Sequence, residues 1–438
     1  MQVMREAVAT WGAVPHASKK SGGGRPMSDT SDIRKVGFVA HMATVFINGL
    51  NDNFFRLVVI FIAIREFVAE EEGTFYYSLV GFVFLLPFVL FSPWAGYISD
   101  RFSKKQVIVV TRAAEFAVLL LAAGMLIAGY FPGLLLTTFL MGLQSTFFSP
   151  AKFGIVPEIV RYEQLSRANG HMQLWTFLAI ILGTALAGFV MEWAGETLWI
   201  PAVVIVILSI IGLVTSFFVT FTRATENPPP FQLNAFATLV QSIAEIRPQR
   251  VLFLVILGIA WFWALGTLYQ LNVPLFAELH LGLGELATGI ILTSLALGIG
   301  GGSILAGYLA RGGIAMHHAA PGMIAAALLS AMLSFTTDSY LATLVFTALL
   351  GIASGFFIVP ITAYLQGHSP AERRGRFIAA SNFLSFAAML LAPVLFWVFT
   401  GPAGAAPAHV FVIGGVASLV VGLMALRLYH RHRAEAEA

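Results

Sequence analysis

Long apolar runs alternate with short polar connections along most of the chain. An apolar run of about 20 residues is long enough to cross a membrane as a helix. Runs of that kind, each predicted to be one membrane span, cover residues 36–64, 75–98, 106–129, 131–152, 168–191, 197–221, 250–276, 285–311, 316–336, 339–364, 374–399 and 406–428. The pattern predicts an all-α membrane protein with twelve transmembrane helices.

A polar stretch separates the first six runs from the second six. It begins at Thr222, passes through Pro228-Pro-Pro230, and then shows apolar residues at helical spacing, among them Leu239 and Ile243. This spacing predicts a short amphipathic helix on the membrane surface. The predicted organisation is a disordered N-terminus (1–35), a six-helix bundle (36–221), a linker with the amphipathic helix (222–249), a second six-helix bundle (250–428) and a tail (429–438).

The N-terminal segment is polar and rich in Gly and Ser, and it lacks the apolar core of a signal peptide. Met27 is as good a start of translation as Met1. Whether residues 1–26 are translated therefore stays open.

Composition supports a membrane protein. Hydrophobic residues make up 58% of the chain and charged residues 11%, with a mean hydropathy of +0.84, whereas soluble domains are about 25% charged. The net charge of +3 needs no nucleic-acid partner, because the bases are concentrated in particular connections. The absence of cysteine excludes disulfides and thiolate metal sites.

Lys and Arg lie almost wholly in the even-numbered connections and near both termini, while the odd-numbered connections carry Arg65 alone together with several acids. Positively charged connections stay in the cytoplasm. Both termini are therefore predicted to be cytoplasmic.

The first predicted helix contains a polar stretch, Asn48-Gly-Leu-Asn51-Asp52-Asn53-Phe-Phe-Arg56. A charge near the centre of a spanning helix costs about 2.5–3.5 kcal/mol on insertion scales, so such residues usually face a protein interior or a wet cavity. The stretch is a candidate functional site. The alternative is a self-neutralising pair, since Asp52 and Arg56 are four residues apart.

Other polar residues lie in neighbouring spans. Gln144 is about two turns before Lys152 on a similar face of the fourth span. Lys152 is suited either to bind a phosphate or to reach lipid head groups, and Arg56 is suited to a phosphate because its guanidinium donates two parallel hydrogen bonds. Asn169 suits a cavity or helix packing equally. Arg112 and Glu115 are expected to form an interdomain or intrahelical network near the cytoplasm.

The two sets of six spans resemble copies of one unit. Gly96-Tyr-Ile matches Gly307-Tyr-Leu, and Gly142–Pro150 resembles Gly351–Pro360 at nearly the same offset. Parallel six-span repeats related by an axis along the membrane normal are the major facilitator architecture. Chance recurrence of Gly, Pro and Phe in apolar helices is the alternative.

The connection after the second span, Gly96-Tyr-Ile-Ser-Asp100-Arg101-Phe-Ser-Lys104-Lys105, resembles the signature loop of the major facilitator superfamily. The glycine allows close helix packing, and Asp100 is suited to meet a base or a helix N-terminus across the domain interface. Arg101 and Lys104 hold the loop at the anionic cytoplasmic face.

The gating residues predicted from this loop are Gly96, Asp100, Arg101 and Lys104, to which we add Arg112. The equivalent place in the second half lacks the acid. The lock between the two halves is therefore predicted to be lopsided.

A more specific resemblance rests on Ser149-Pro-Ala-Lys152-Phe-Gly-Ile155, Ala168-Asn-Gly170, Asn51-Asp52-Asn53 and Gly355–Pro360. Together these segments are similar to the lysophospholipid transporter (LplT) family. The resemblance implies a flippase of the bacterial inner membrane, which moves lysophospholipids from the outer to the inner leaflet, where a cytoplasmic acyltransferase restores the missing chain. It also implies that Asp52 and Lys152 are charged positions of the transport cavity.

The sequence departs from the family pattern at three places. The resemblance implies an arginine in the seventh span and acids in the fifth and eleventh, where this chain has Gln270, Gln173 and Ser385. Asp52 and Arg56 are therefore expected to carry more of the head-group binding.

These observations predict transport of lysophospholipids by alternating access of two rocking halves, in a protein that is a monomer without cofactor or metal. The predicted substrate-binding residues are Asn48, Asn51, Asp52, Arg56, Gln144, Lys152, Gln173 and Gln270. The alternatives are a proton-coupled exporter of amphipathic drugs and a non-transporting scaffold for an acyltransferase. Enzyme activity is not predicted, since the sequence has neither the His-x4-Asp motif of acyltransferases nor a phosphate-binding Gly-rich loop.

Overall fold

The computed structural model describes residues 33, 35–67, 73–224, 234–310, 313–400 and 404–437, and within these residues the chain forms helices and no strand. Helices are expected here because a membrane offers no water to bond backbone N–H and C=O groups, so each spanning segment must satisfy its own. The predicted disorder of residues 1–35 falls almost wholly outside the described residues.

Twelve helices in the described part are long and apolar enough to cross a membrane, which confirms the predicted number of spans. We number them α1 Val36–Phe67, α2 Gly73–Arg101, α3 Lys104–Ala128, α4 Phe131–Gly154, α5 Leu165–Ala194, α6 Trp199–Phe217, α7 Arg250–Leu281, α8 Glu285–Leu309, α9 Ala319–Leu333, α10 Tyr340–His368, α11 Arg374–Thr400 and α12 Pro407–Glu437. Residues 429–437, predicted as a tail, continue α12.

Local residues fix several helix ends. Ser339 caps the start of α10, where its hydroxyl accepts a hydrogen bond from the backbone N–H of Ala342 at 3.2 Å. Gly129 and Gly282 end α3 and α7 with φ values of 62° and 60°, a left-handed conformation that glycine adopts without a steric penalty.

The two larger apolar cores divide the helices into two bundles. One core joins side chains of α1–α6, such as Phe54, Leu119 and Ile205, and we call these helices the N-half. The other joins side chains of α7–α12, such as Phe276 and Met323, and we call these the C-half. The fold is the predicted pair of six-helix bundles.

The linker contains the predicted helix, at Ala235–Ile246. Leu239 and Ile246 are buried in the core of the C-half, and the helix contacts α2 as well as α11. The predicted place of the helix on the membrane surface stays a prediction, and these two side chains pack in the protein interior. We call this segment the linker helix.

An even number of spans returns the chain to its starting side. We call the side on which α1 begins and α12 leaves the membrane the termini side. The C-terminal ends of α2 and α4, and the N-terminal ends of α5 and α11, lie on this side.

Candidate functional site

Asp52 is the centre of a polar network on α1. Its Oδ2 accepts two hydrogen bonds, one from Asn48 Nδ2 at 2.7 Å and one from the hydroxyl of Ser145 on α4 at 2.8 Å. Asn48 and Asp52 can meet because residues four apart lie one above the other on a helix. The other carboxylate oxygen, Oδ1, is buried and has no partner among the described residues.

Behind this acid, α3 contributes an ion pair that is fully buried. Arg112 and Glu115 pair with each other one turn apart, and both have 0% exposure. Arg112 Nη1 also donates to Asn48 Oδ1 at 2.7 Å, and Glu115 Oε1 accepts from Asn51 Nδ2 at 2.9 Å. Asn48 therefore connects the pair on α3 to Asp52, and Asn51 on the same face of α1 bonds Glu115.

Arg112 and Glu115 form the intrahelical pair predicted from the sequence, and the gating role of Arg112 stays a prediction. Arg112 lies two turns into α3, where its charge is compensated by Glu115 and by the Asn48 amide. A buried charge needs such partners because its desolvation is costly. The ion pair lies within α3, and its further hydrogen-bond partners, Asn48 and Asn51, lie on α1.

A glycine on α6 makes the room that Arg112 occupies. A Cβ atom added at Gly212 would lie 1.9 Å from Arg112 Nη2, far inside van der Waals contact. Nothing in the sequence pattern identified Gly212, because its role depends on the depth at which α3 and α6 cross.

Arg56 contacts one residue on its own helix and one on α2. Its Nη2 donates to Asn53 Oδ1 at 2.8 Å, and its guanidinium lies 5.3 Å from the ring centre of Phe84 on α2. A cation over an aromatic face is attracted to the ring quadrupole. Arg56 is held at the N-half surface by an amide and a ring.

On α4, Gln144 extends the network and Lys152 lies apart from it. Gln144 Nε2 donates to Ser145 Oγ at 2.8 Å, while its buried Oε1 has no partner in the described part of the chain. Lys152 Nζ lies 4.7 Å from the ring centre of Phe153, and no ion pair joins it to a described residue. The site thus combines unpartnered acceptors with a half-buried ammonium that has no carboxylate partner there.

The two halves meet on the termini side through Asp100 at the end of α2. Its carboxylate accepts from the backbone N–H groups of Gly375 at 2.5 Å and Arg376 at 2.9 Å, and Arg376 Nε lies 3.7 Å away. These N–H groups belong to the first turn of α11, where unpaired donors and the helix dipole favour an anion. The predicted contact of Asp100 with a helix N-terminus across the interface is present.

The remaining loop residues make different contacts. Lys104 pairs with Glu158 at 2.6 Å, and Glu158 also lies 3.9 Å from Arg374 of the C-half. Arg101 donates to Tyr97 on its own helix at 2.7 Å. Lys104 thus reaches the other half through an acid, whereas the hydrogen bond of Arg101 to Tyr97 stays within α2.

The equivalent interface, between α5 and α8, has the same close packing without an acid. A Cβ added at Gly96 would lie 2.9 Å from Arg376 Cα, and one added at Gly307 would lie 3.1 Å from Arg167 Cα. Nearby, the hydroxyl of Ser166 donates to the Gly313 carbonyl at 2.9 Å. The two interfaces share a backbone geometry and differ in charge.

A neutral amide pair also joins the halves. Asn169 on α5 and Gln366 on α10 exchange two hydrogen bonds, of 2.8 and 3.0 Å, and both side chains are buried. Of the two alternatives left open for Asn169, this geometry is helix packing.

Comparison with known proteins identifies the family. Residues 42–393 match the Major Facilitator Superfamily. The chain belongs to the Major Facilitator Superfamily.

Among superfamily relatives, the lysophospholipid transporter LplT of Photorhabdus laumondii is 28% identical over 334 residues, which cover 75% of this chain and 80% of the relative. LplT of Citrobacter koseri is 27% identical over 368 residues, covering 82% of this chain and 88% of the relative. These similarities confirm the resemblance inferred from the sequence motifs.

Solved structures of the superfamily share the fold. The human organic anion transporter MFSD10 (TETRAN) superposes with a TM-score of 0.74 over 88% of this chain and 99% of its own, at 13% identity. FucP in the outward conformation gives a TM-score of 0.71 over 89% of this chain and 99% of its own, at 12% identity. At these identities the likeness concerns the fold alone.

Within this superfamily fold, the two predicted glutamines fall outside the network. Gln173 is buried on α5 without a hydrogen bond to a described residue, and Gln270 is exposed on α7, next to the buried Tyr269. A span has several faces, and sequence position alone does not decide which face meets α1. Ser145, which does bond Asp52, was missed because a serine in an apolar helix carries little signal.

Proposed function

We propose that this protein transports lysophospholipids across the bacterial inner membrane, from the outer to the inner leaflet, by alternating access of its two halves. The observation that carries the proposal is the Asp52 carboxylate, which accepts two hydrogen bonds at Oδ2 and keeps its buried Oδ1 without a described partner. A buried unpaired acceptor is costly unless a ligand or water satisfies it. The likeness to LplT proteins supplies the substrate class.

The polar side chains suit a zwitterionic head group. Asp52 Oδ1 and Gln144 Oε1 are acceptors for an ammonium group, which has three N–H donors. Lys152, which pairs with no described carboxylate, is available for the phosphate, and Arg56 is a second candidate. Such a site needs few polar groups, because the rest of a lysophospholipid is apolar.

The acyl chain is proposed to lie among aromatic side chains where the halves meet near the middle of the membrane. Phe88 on α2 stacks on Phe386 on α11 with ring centres 3.9 Å apart. Phe177 on α5 stacks on Trp263 on α7 at 6.1 Å. These pairs give an apolar chain large flat contact surfaces without further polar groups.

The distribution of bases favours a cytoplasmic termini side, and the proposed direction of transport delivers the lipid to the leaflet on that side. The contacts of Asp100 and of the Asn169–Gln366 pair close that side in this structure. The proposed cycle therefore requires both contacts to break, so that the lipid is delivered to the inner leaflet. A cytoplasmic acyltransferase would find its substrate there.

Transport into proteoliposomes tests the proposal. Purified full-length protein should accelerate the movement of labelled lysophosphatidylethanolamine between leaflets, and Asp52→Asn and Lys152→Ala should each slow it about 10-fold or more, since each removes a charged hydrogen bond. Asp338→Asn, at an exposed acid between α9 and α10, is the matched control and should transport normally.

Each rival function predicts another result. A scaffold would move no lipid, and its binding of an acyltransferase would not depend on Asp52. A proton-coupled exporter would move amphipathic drugs outward and stop when an uncoupler is added. No movement of lysophospholipid by well-folded wild-type protein would overturn the proposal.

A further inference from the structure

The buried pair of Arg112 and Glu115 is shielded from solvent in this structure, and its described hydrogen bonds run to α1. Both side chains have 0% exposure, and α3 packs mainly against α4 and α6 rather than against the C-half. On the side of α6, the backbone at Gly212 packs directly against the Arg112 guanidinium. If the pair affects transport, it must act through the residues it bonds.

Those residues are two asparagines, and an asparagine amide has distinct ends. Its oxygen only accepts hydrogen bonds and its nitrogen only donates them. Arg112 donates to Asn48 Oδ1. Asn48 must therefore turn its NH₂ group the other way, and this group donates to Asp52 Oδ2. The guanidinium thus decides which end of the amide faces the acid.

The orientation of the amide then decides which oxygen of Asp52 is open. Asn48 and Ser145 both donate to Oδ2, so Oδ1 keeps its lone pairs without a described partner. Without Arg112, the Asn48 amide could turn over and present its oxygen to the carboxylate, which would be repulsive. Glu115 holds the pair in place from the other side, since it binds both Arg112 and Asn51.

We propose that Arg112 and Glu115 are positioning residues, which act through Asn48 to fix the Asp52 carboxylate with Oδ1 directed to the ammonium group of the substrate. This inference rests on the proposed function, because it assigns a role to Asp52 in head-group binding. It separates two layers of the site: Asp52 and Gln144 contact the lipid, and the α3 pair sets their geometry from behind.

The test measures transport rate against substrate concentration in proteoliposomes for two head groups. Lysophosphatidylethanolamine carries the ammonium group, and lysophosphatidylglycerol lacks it. Arg112→Gln should raise the half-saturating concentration of the first lipid about 10-fold, the loss expected for one misdirected charged hydrogen bond. It should change the second lipid and both maximal rates by less than about 2-fold.

A double-mutant cycle tests the path through the amide. In an Asn48→Leu background, Arg112→Gln should raise the half-saturating concentration of lysophosphatidylethanolamine hardly any further, because the link from Arg112 to Asp52 through Asn48 is already lost. Arg112→Lys, which keeps the charge and an N–H donor group, should restore much of the affinity. Equal losses for both lipids, or full additivity with Asn48→Leu, would overturn the positioning role and leave a purely structural ion pair.

A second route guards against variants that fail to fold. Gly212→Ala should displace the guanidinium without removing any polar group and should give the same affinity loss as Arg112→Gln. Gly124→Ala on α3, where an added Cβ meets nothing within 4 Å, is the matched control. Wild-type affinity in folded Gly212→Ala protein would count against the proposal, whereas wild-type protein that moves neither lipid would overturn the proposed function itself.

Discussion

The interfaces between α2 and α11 and between α5 and α8 are two copies of one packing arrangement with different chemistry. In each, a glycine lets a helix approach the first turn of a helix from the other half, within about the same distance. Only the first copy carries an acid, Asp100, that accepts from that first turn.

The comparison shows that the distance between the helices and the electrostatic attraction between them have separate causes at these interfaces. Glycine sets how near the helices come, and it does so in both copies. The acid adds an interaction with a helix dipole that the other copy lacks. The interface between α2 and α11 should therefore cost more free energy to open than the interface between α5 and α8.

The largest effect is expected from removing the acid. Asp100→Ala leaves two buried N–H groups of α11 without an acceptor, at a cost of about 1–3 kcal/mol each. The termini side should open more often, by about 10-fold or more. The chain has no cysteine, so the labelling rate of a single Ala379→Cys, buried against Gly96, measures the opening.

The control for this experiment is Asp338→Ala, at an exposed acid in the connection between α9 and α10. It should leave the labelling rate unchanged. An Asp100→Ala protein that labels no faster than wild type would show that glycine packing alone holds this interface closed.

The next largest effect should be the same at both interfaces. Gly96→Ala and Gly307→Ala each push a methyl group into the backbone of the partner helix. Overpacking of this kind costs about 1–3 kcal/mol. Labelling of Ala379→Cys should rise in the first variant, and labelling of Ser303→Cys, buried beside Gly170, should rise in the second.

Each glycine has a control on its own helix. Gly81→Ala on α2 and Gly301→Ala on α8 add a Cβ that meets nothing within 4 Å, and both should behave as wild type. A much larger effect of Gly96→Ala than of Gly307→Ala would mean that the acid and the glycine act together rather than separately.

A smaller effect is expected at the neutral contact between Asn169 and Gln366. Hydrogen bonds between membrane helices are worth about 0.6 kcal/mol on average and about 1.7 kcal/mol at most. A double-mutant cycle with Asn169→Leu and Gln366→Leu should give a coupling energy in this range by thermal unfolding. Coupling should not change between low and high salt, because neither group is charged.

The smallest effect should come from the exposed pair of Glu245 on the linker helix and Arg373, which are 2.9 Å apart. Exposed ion pairs contribute about 0–1 kcal/mol. Glu245→Gln should therefore change thermal stability by less than about 0.5 kcal/mol, and high salt should remove the difference. A larger loss of thermal stability would show that the linker helix helps to hold the two halves together on the termini side.

The sequence predicted the architecture well for a physical reason. Apolar length and the side preference of bases depend on the membrane rather than on particular neighbours, so the twelve spans follow from the pattern. The contact of Asp100 with a helix N-terminus was also predicted, because a short motif combines a glycine, an acid and a turn in consecutive residues.

The candidate site was predicted only in part. Asp52, Asn48 and Gln144 stand out because polar groups in apolar helices are costly. The pairing of Arg112 with Glu115 was predicted, whereas its bond to Asn48 was not, because Asn48 lies 64 positions away in the chain and meets Arg112 only in the folded bundle. Gln270 was chosen by its position in the chain; it is exposed on α7, and its contact with the substrate stays a prediction.

The contact between Gly212 and Arg112 has a consequence for evolution. Because the space beside Gly212 is filled by the guanidinium, each position limits what the other can become. A lineage that replaces Arg112 by a shorter residue is free to enlarge position 212, whereas one that keeps the arginine must keep the glycine. We expect these two positions to change together among descendants of a common ancestor, as though they were a single inherited character.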